Sequence, residues 1–500
     1  MSDANPLPSR LDPDDPAAFR AVAHTLLDAC LDRLENARER PWIEPGDALP
    51  GDEPAPEGRP GPPREGLPIE RIAAELVEEI MPRATGNTHP RFFGWVHGTG
   101  LASGLLAEMV AATMNSNCGG RRHVAIEVER RVIEWCATLH GLPEGAGGLV
   151  TGGTSMATLL ALCAARVRAF GESFREDGLS ERPLRPVLYT AMGTHQCVSK
   201  ACEVMGLGHK ALRQLPLDPD TRSLSIPSLA EAVAADRAAG YHPFCLVGTA
   251  GSVNVGRFDD LAALADAAAE HELWLHVDGA FGAWAVLADP PWNANVAGLD
   301  RADSIAFDFH KWPYVQYEAG AVLVRDASTL PEAFSGNAAY LVDEDEGLAA
   351  GAPWPCDLGL ELSRGFRALK VWTALRAHGT DALGAAISDN CRQAALMGEL
   401  VEAAPELRLA APVTLNVCCF ALSEAPGQGD GEAAGEAADE RHRAIAAALQ
   451  LAGDCVLSTT RIEGRTVLRA AIVNHRTTAS DIRFTIERVI GEAERQGEAA

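Results

Sequence analysis

Three short stretches carry residue types that can act together chemically. Thr151–Ser155, read as TGGTS, stands between a strand-like run and a helix-like run. Glycines allow a tight turn there. The helix N-terminus presents unbonded N–H groups and a positive dipole end, and the Thr154 and Ser155 hydroxyls add donors. Such a cup suits a phosphate, although the same residues also make a plain helix cap, and the Walker pattern is absent. His276, Val277 and Asp278 end the run LWLHVD. A carboxylate at a buried strand end needs a cation or several donors to offset its desolvation; the alternative is an acid capping a turn. Phe309, His310, Lys311 and Trp312 follow the strand-like SIAF. Lysine in an apolar setting has a lowered pKa and can serve as a Schiff-base amine; a solvated loop lysine is the other reading.

The elements that position these residues alternate. GGLVT, PVLYT, FCLVGTA, LWLHVD, SIAF and GAVLVR are β-rich, and helical stretches such as SMATLLALCAARVRAF, CVSKACEVMG and DDLAALADAAAEHE lie between them. That pattern predicts a mainly parallel sheet covered on both faces, with ligands bound beyond the carboxyl ends of its strands. A phosphate cup, a strand-end acid and a lysine 33 residues further on, all on such a scaffold, are the parts pyridoxal phosphate requires. The cup holds the phosphate, Asp278 pairs with the protonated pyridine nitrogen, and Lys311 joins the aldehyde.

Three segments are expected. Residues 1–88 form an N-terminal helical segment, with an amphipathic helix over 17–40, a Pro-rich arm over 41–68 and a second helix over 69–80. Residues 89–378 form the large cofactor-binding domain. Residues 379–500 form a small α+β domain in which VTLNVCCFAL and RTVLRAAIV are strands, 424–440 is a flexible loop and 481–496 a closing helix. The chain has 500 residues, is 47% hydrophobic and carries 43 basic against 69 acidic side chains, a net charge of −26. This excludes a mainly disordered protein and disfavours binding to nucleic acid or anionic membrane. No apolar run reaches bilayer length, and the N-terminus lacks a signal-peptide pattern. Twelve scattered cysteines without a CxxC pair predict buried thiols in the cytoplasm, with no metal site.

The sequence resembles the pyridoxal phosphate-dependent group II decarboxylases, the family of aromatic-amino-acid and glutamate decarboxylases. The likeness runs from about residue 89 to 490 and rests on HPRFFGW, on EVERRVIEWCATLHGLPEGAGGLVTGGTSMATLLAL, on LWLHVD, DFHKW and GFRALKVW. The resemblance implies an α/β protein of cofactor fold type I, aspartate aminotransferase-like, acting as a homodimer with shared active sites. It matches Lys311 to the cofactor lysine, Asp278 to the pyridine partner, and His195 and Ala280 to the residues on the two ring faces. Thr154 and Ser155 match the phosphate pair, and His310 precedes the lysine as in the family. Tyr340 matches the mobile-loop tyrosine that returns a proton to Cα in the neighbouring subunit's site. Two departures stand out: Asp308-Phe309 replaces the usual Asn-Pro, and Val253 stands where a threonine hydroxyl is usual.

The expected reaction is decarboxylation of an L-amino acid to its amine and carbon dioxide. The alternatives are an aminotransferase, a decarboxylation-linked aldehyde synthase or a non-catalytic relative. For the substrate, HKW favours an aromatic side chain, which Phe92, Phe93 and Trp95 could wall; ordinary core is the other reading of those three. The basic segment 115–123, with Arg121 and Arg122, could instead bind an acidic side chain or phosphate, or simply face solvent.

Overall fold

The computed structural model describes residues 11–39, 42, 62, 64–179, 181, 183–336, 346–423 and 432–498. The chain divides into two compact units, Met1–Phe92 and Phe93–Ala500. In the first, the helix Pro16–Glu35 starts at Asp15, whose carboxylate accepts from the Ala17 and Ala18 amides. It ends earlier than the periodicity predicts, because the Asn36 side chain donates to the Asp32 carbonyl and closes the last turn. Ile69–Glu75 is helical and continues as a wider π turn over Leu76–Ile80. Residues 43–61 of the Pro-rich arm lie outside the described residues.

The second unit is built on a seven-stranded sheet. Its strands are β1 (Gly147–Thr151), β2 (Pro186–Ala191), β3 (Leu212–Leu215), β4 (His242–Thr249), β5 (Trp274–Asp278), β6 (Ser304–Asp308) and β7 (Gly320–Val324), in the order β1-β7-β6-β5-β4-β2-β3. β7 runs against both of its neighbours and all other pairs are parallel. Six strands therefore present their carboxyl ends on one side. Side-chain alternation divides each strand between two cores. Val187, Tyr189, Ile305 and Phe307 enter one cluster, while Leu188 and Ala306 enter two others. Both faces are thus buried, which explains the near-continuous apolar runs.

A second sheet has β8 (Leu407–Leu409), β9 (Val417–Leu422), β10 (Ser458–Ile462) and β11 (Arg465–Ala471), all antiparallel, in the order β10-β11-β9-β8. The long helix Arg367–Ala403 leads into it and is interrupted at Gly379, whose φ of 71° disfavours any side chain. The expected loop over 424–440 is corrected in part: Glu432–Leu451 is a helix. Its alanines and glutamates are strong helix formers, and Asp439 anchors it by accepting from Arg465 and the Thr466 amide. Residues 424–431 lie outside the described residues. Among the described residues no helix is long and apolar enough to cross a membrane.

Candidate active site

The carboxyl ends of β1, β2, β4, β5 and β6 surround one cavity of about 860 Å³. Thr154, Ser155, His195, Asp278, Ala280, His310 and Lys311 all line it. Asp278 is the last residue of β5 and the others follow the carboxyl end of a strand. The TGGTS turn opens the helix Thr154–Phe170. It is held close to β7 because Gly320 has no side chain: a Cβ there would stand 2.6 Å from Gly153 Cα. Behind the turn, buried Arg364 pairs bidentately with Glu129 at 2.8 and 3.1 Å, and Glu129 also accepts from the Val150 amide.

Asp308 dominates the electrostatics. It is buried at the end of β6. One oxygen accepts from the Thr154 amide at 2.7 Å and the other meets Lys311 Nζ at 2.8 Å. His310 Nε2 lies 3.7 Å away. This acid, where asparagine is usual, occupies a helix N-terminal N–H, where the dipole favours a carboxylate. Burial works to raise the Asp308 pKa, but Lys311 and His310 hold it below the ordinary value. Burial works to lower the Lys311 pKa, but Asp308, then Asp278, raise it above normal. The expected lowered lysine is thus corrected, because the apolar setting contains two carboxylates.

Asp278 is buried, and its Oδ1 accepts from the Ala280 amide at 3.2 Å. Burial raises its pKa, and Lys311 and His195 offset part of the rise. His195 Nδ1 accepts from the Cys197 amide at 3.3 Å. Burial lowers the His195 pKa, opposed by Asp278. His195, Cys197 and Asp278 bring metal-ligand types of atom within 4.8 Å of one another.

Several cavity residues were not singled out in the sequence. His97 and Tyr317 join Trp95 in an aromatic wall: Trp95 stacks on His97 at 5.5 Å, and the Tyr317 ring meets His97 edge-on at 6.2 Å and His310 at 4.3 Å. Arg367 is paired with Glu361 at 2.8 Å and Glu318 at 3.0 Å. Arg469, from β11, donates to the Val253, Asn254 and Trp95 carbonyls. Nothing in PYVQYEAG marked Tyr317, whereas an arginine inside the apolar strand VLRAAIV was a usable signal for Arg469.

Other expectations for the pocket change. Trp312 is fully buried and donates to Asn390 at 3.2 Å, so the HKW tryptophan is core. Phe93 is likewise buried, in the core beneath the second sheet. Phe92 falls in the first unit. Arg121 stacks on Trp354 at 5.0 Å and the Arg122 amide bonds the Leu348 carbonyl. Tyr340 lies outside the described residues.

The donor set fits pyridoxal phosphate. The Thr154 hydroxyl is buried and makes no hydrogen bond among the described residues, so it is a donor awaiting an acceptor beside Lys311.

Comparison with known proteins agrees. The pyridoxal-dependent decarboxylase conserved domain matches residues 58–423. An aromatic-L-amino-acid decarboxylase of Bacillus atrophaeus is 29% identical, covering 84% of each chain. A phenylacetaldehyde synthase of Arabidopsis thaliana is 28% identical, covering 92% of this chain and 93% of that one. The crystal structure of Oryza sativa TDC with PLP and tryptamine superposes with a TM-score of 0.86 at 27% identity, covering 97% of this chain and 99% of that one. The seven-stranded sheet is accordingly that of the type I pyridoxal phosphate fold. A match over most of its length, on a cavity equipped for this cofactor, establishes that the chain belongs to the pyridoxal-dependent decarboxylases.

Proposed function

We propose that the chain decarboxylates an L-amino acid with an aromatic side chain to the corresponding amine and carbon dioxide. The observation that carries the aromatic preference is the Trp95–His97–Tyr317 wall on the cavity. Arg367 supports it from the other direction, since two glutamates already neutralise the cation that an acidic side chain would seek. Bound pyridoxal phosphate supplies an electron sink for the bond to the departing carboxylate.

The chain's own residues do the rest. Lys311 would hold the cofactor's aldehyde carbon, and Asp278 would hold the proton on its ring nitrogen. His195 and Ala280, which line the cavity, would face the two sides of the ring. The Thr154 and Ser155 hydroxyls, with His310, take the phosphate. Tyr340 donates the proton to Cα, reaching the site of a neighbouring copy in a homodimer. The aromatic wall would hold the substrate's side chain, using side-chain binding energy to orient the bond to be cleaved. Twelve free, mostly buried thiols suit a reducing cytoplasm.

The test measures amine, carbon dioxide, peroxide and keto acid together across the twenty amino acids and diaminobutyrate. Amine equal to carbon dioxide, highest with an aromatic substrate, is expected. Keto acid without carbon dioxide would make the protein an aminotransferase. Peroxide matching carbon dioxide would make it an aldehyde synthase.

A further inference from the structure

His195 and Cys197 stand together after β2, where the helix Cys197–Val204 begins, and Asp278 ends β5. The parallel pairing of β2, β4 and β5 brings these strand ends to one side, so Cys197 and Asp278, 81 positions apart, meet there. One ligand-type atom from each of the three residues lies within 4.8 Å of the other two. Cys197 Sγ and Asp278 Oδ2 are 3.6 Å apart, and both residues are buried. Zinc bonds of about 2.3 Å to sulfur and about 2.1 Å to oxygen, at a tetrahedral angle, hold two such atoms about 3.6 Å apart. The two buried side chains are therefore already at coordination spacing. His195 is exposed on the cavity, and rotation of its side chain closes the remaining gap. His195 and Asp278 both line the cavity, which gives an ion its entry path and leaves room for a water beside three protein ligands.

Charge favours a cation here. Among the described residues, the Asp278 carboxylate accepts from the Ala280 amide at 3.2 Å and the Cys197 thiol at 3.6 Å and makes no ion pair. Lys311 is engaged by Asp308 at 2.8 Å. A buried carboxylate without a cation is costly. A divalent ion removes that cost, because the carboxylate and a thiolate balance its two charges and a neutral imidazole adds none. Burial lowers the His195 pKa and so keeps the imidazole neutral. The metal–sulfur bond forms as the thiol S–H breaks, and the proton leaves to solvent. Thiolate and imidazole beside one carboxylate select a borderline-soft ion such as zinc over magnesium or calcium.

We propose that His195, Cys197 and Asp278 form a site for a zinc-type divalent cation that is open only while the cofactor ring is absent. The exclusion rests on the reading that Asp278 pairs with the ring nitrogen and His195 lies on a ring face. The ion takes the carboxylate that the pyridinium needs and turns the imidazole away from the ring, so the cavity holds the ring or the ion, not both. Zinc therefore slows loading of the apoenzyme and leaves loaded enzyme untouched.

The test titrates full-length apoenzyme with cobalt(II), a coloured stand-in for zinc. A thiolate-to-cobalt absorption band saturating at one ion per chain is expected, and zinc should abolish it. Binding should weaken as pH falls, because the ion competes with the thiol proton. Cys197→Ala should lose the band and bind cobalt more than about 100-fold more weakly, since even a group supporting a ligand is worth about 10–100-fold. Cys202→Ala, which removes a buried thiol of the same helix, should keep it. Cofactor fixed at Lys311 by borohydride verifies that both variants fold. Pyridoxal phosphate added to the cobalt-loaded chain should expel the metal as it is captured. A band unchanged in Cys197→Ala would overturn the site. Metal-free Asp278→Asn separates the two readings. If its turnover is slow, yet cobalt stays bound at this site after cofactor capture in the wild type, the exclusion is overturned and the Asp278 reading stands. If its turnover is normal, the Asp278 reading fails and the exclusion falls with it.

Discussion

Replacing Asp308 with asparagine probes the charge arrangement around the lysine. The carboxylate stands 2.8 Å from Lys311 Nζ. At that separation and an effective dielectric constant of about 20, the gross attraction is about 6 kcal/mol. Desolvation of two buried groups offsets much of it, and removing an opposite charge this close moves a pKa by about 1–3 units. The sign is set by Asp308 raising the Lys311 pKa: without it the amine loses its proton at lower pH. Only the uncharged amine attacks an aldehyde. Capture of pyridoxal phosphate by the apoenzyme, followed by absorbance in stopped flow, should therefore reach its plateau about 1–3 pH units lower in Asp308→Asn. Asparagine keeps an oxygen for the Thr154 amide and removes a negative charge beside the phosphate donors, so the cofactor Kd should fall as well. An unmoved capture profile would refute the argument and show that burial, not Asp308, governs the lysine, and an upward move would contradict its sign. Stability follows the same signs. The raised Lys311 pKa contributes stability present below about pH 10.4 and lost as pH rises through the folded value. The depressed Asp308 pKa contributes stability present above about pH 3.9 and lost as pH falls through its folded value.

Lys311→Ala should abolish borohydride-fixed cofactor and turnover, and peptide mapping of the reduced wild type should find the label on that lysine. Tyr340→Phe should shift products from amine toward aldehyde and peroxide, because phenylalanine has no proton to give; unchanged product ratios would remove Tyr340 from the mechanism. Mixing inactive Lys311→Ala chains with Tyr340→Phe chains, which lack the proton donor for the amine, should recover some amine formation in hybrid dimers, and a fully active monomer on a sizing column would exclude shared sites. Arg364→Met leaves Glu129 buried and unpaired behind the phosphate cup, so denaturant titration should show a loss of about 3–5 kcal/mol.

The sequence determined the scaffold wherever a strand is buried on both faces. GGLVT, PVLYT, LWLHVD, SIAF and GAVLVR all emerge as strands of the large sheet, since double burial writes a continuous apolar run. The strands it did not reveal are β3, β8 and β10, and each lies at the edge of its sheet. Edge strands face solvent and mix polar with apolar residues, as LRQL and STTRI do, so their period is weak. The placement of chemistry after each strand followed from topology alone, because parallel strands bring their carboxyl ends to one side. What only the tertiary structure decided is which partners meet there. Asp308 contacts Thr154 across 154 positions of sequence, a contact invisible in DFHKW, and the fold turns its other oxygen onto Lys311, which reverses the expected shift of the lysine. Trp312 and Phe93 went to the core while His97 and Tyr317 came to the cavity. Aromatic type is legible in a sequence, but the direction a loop side chain faces is set by the packing around it.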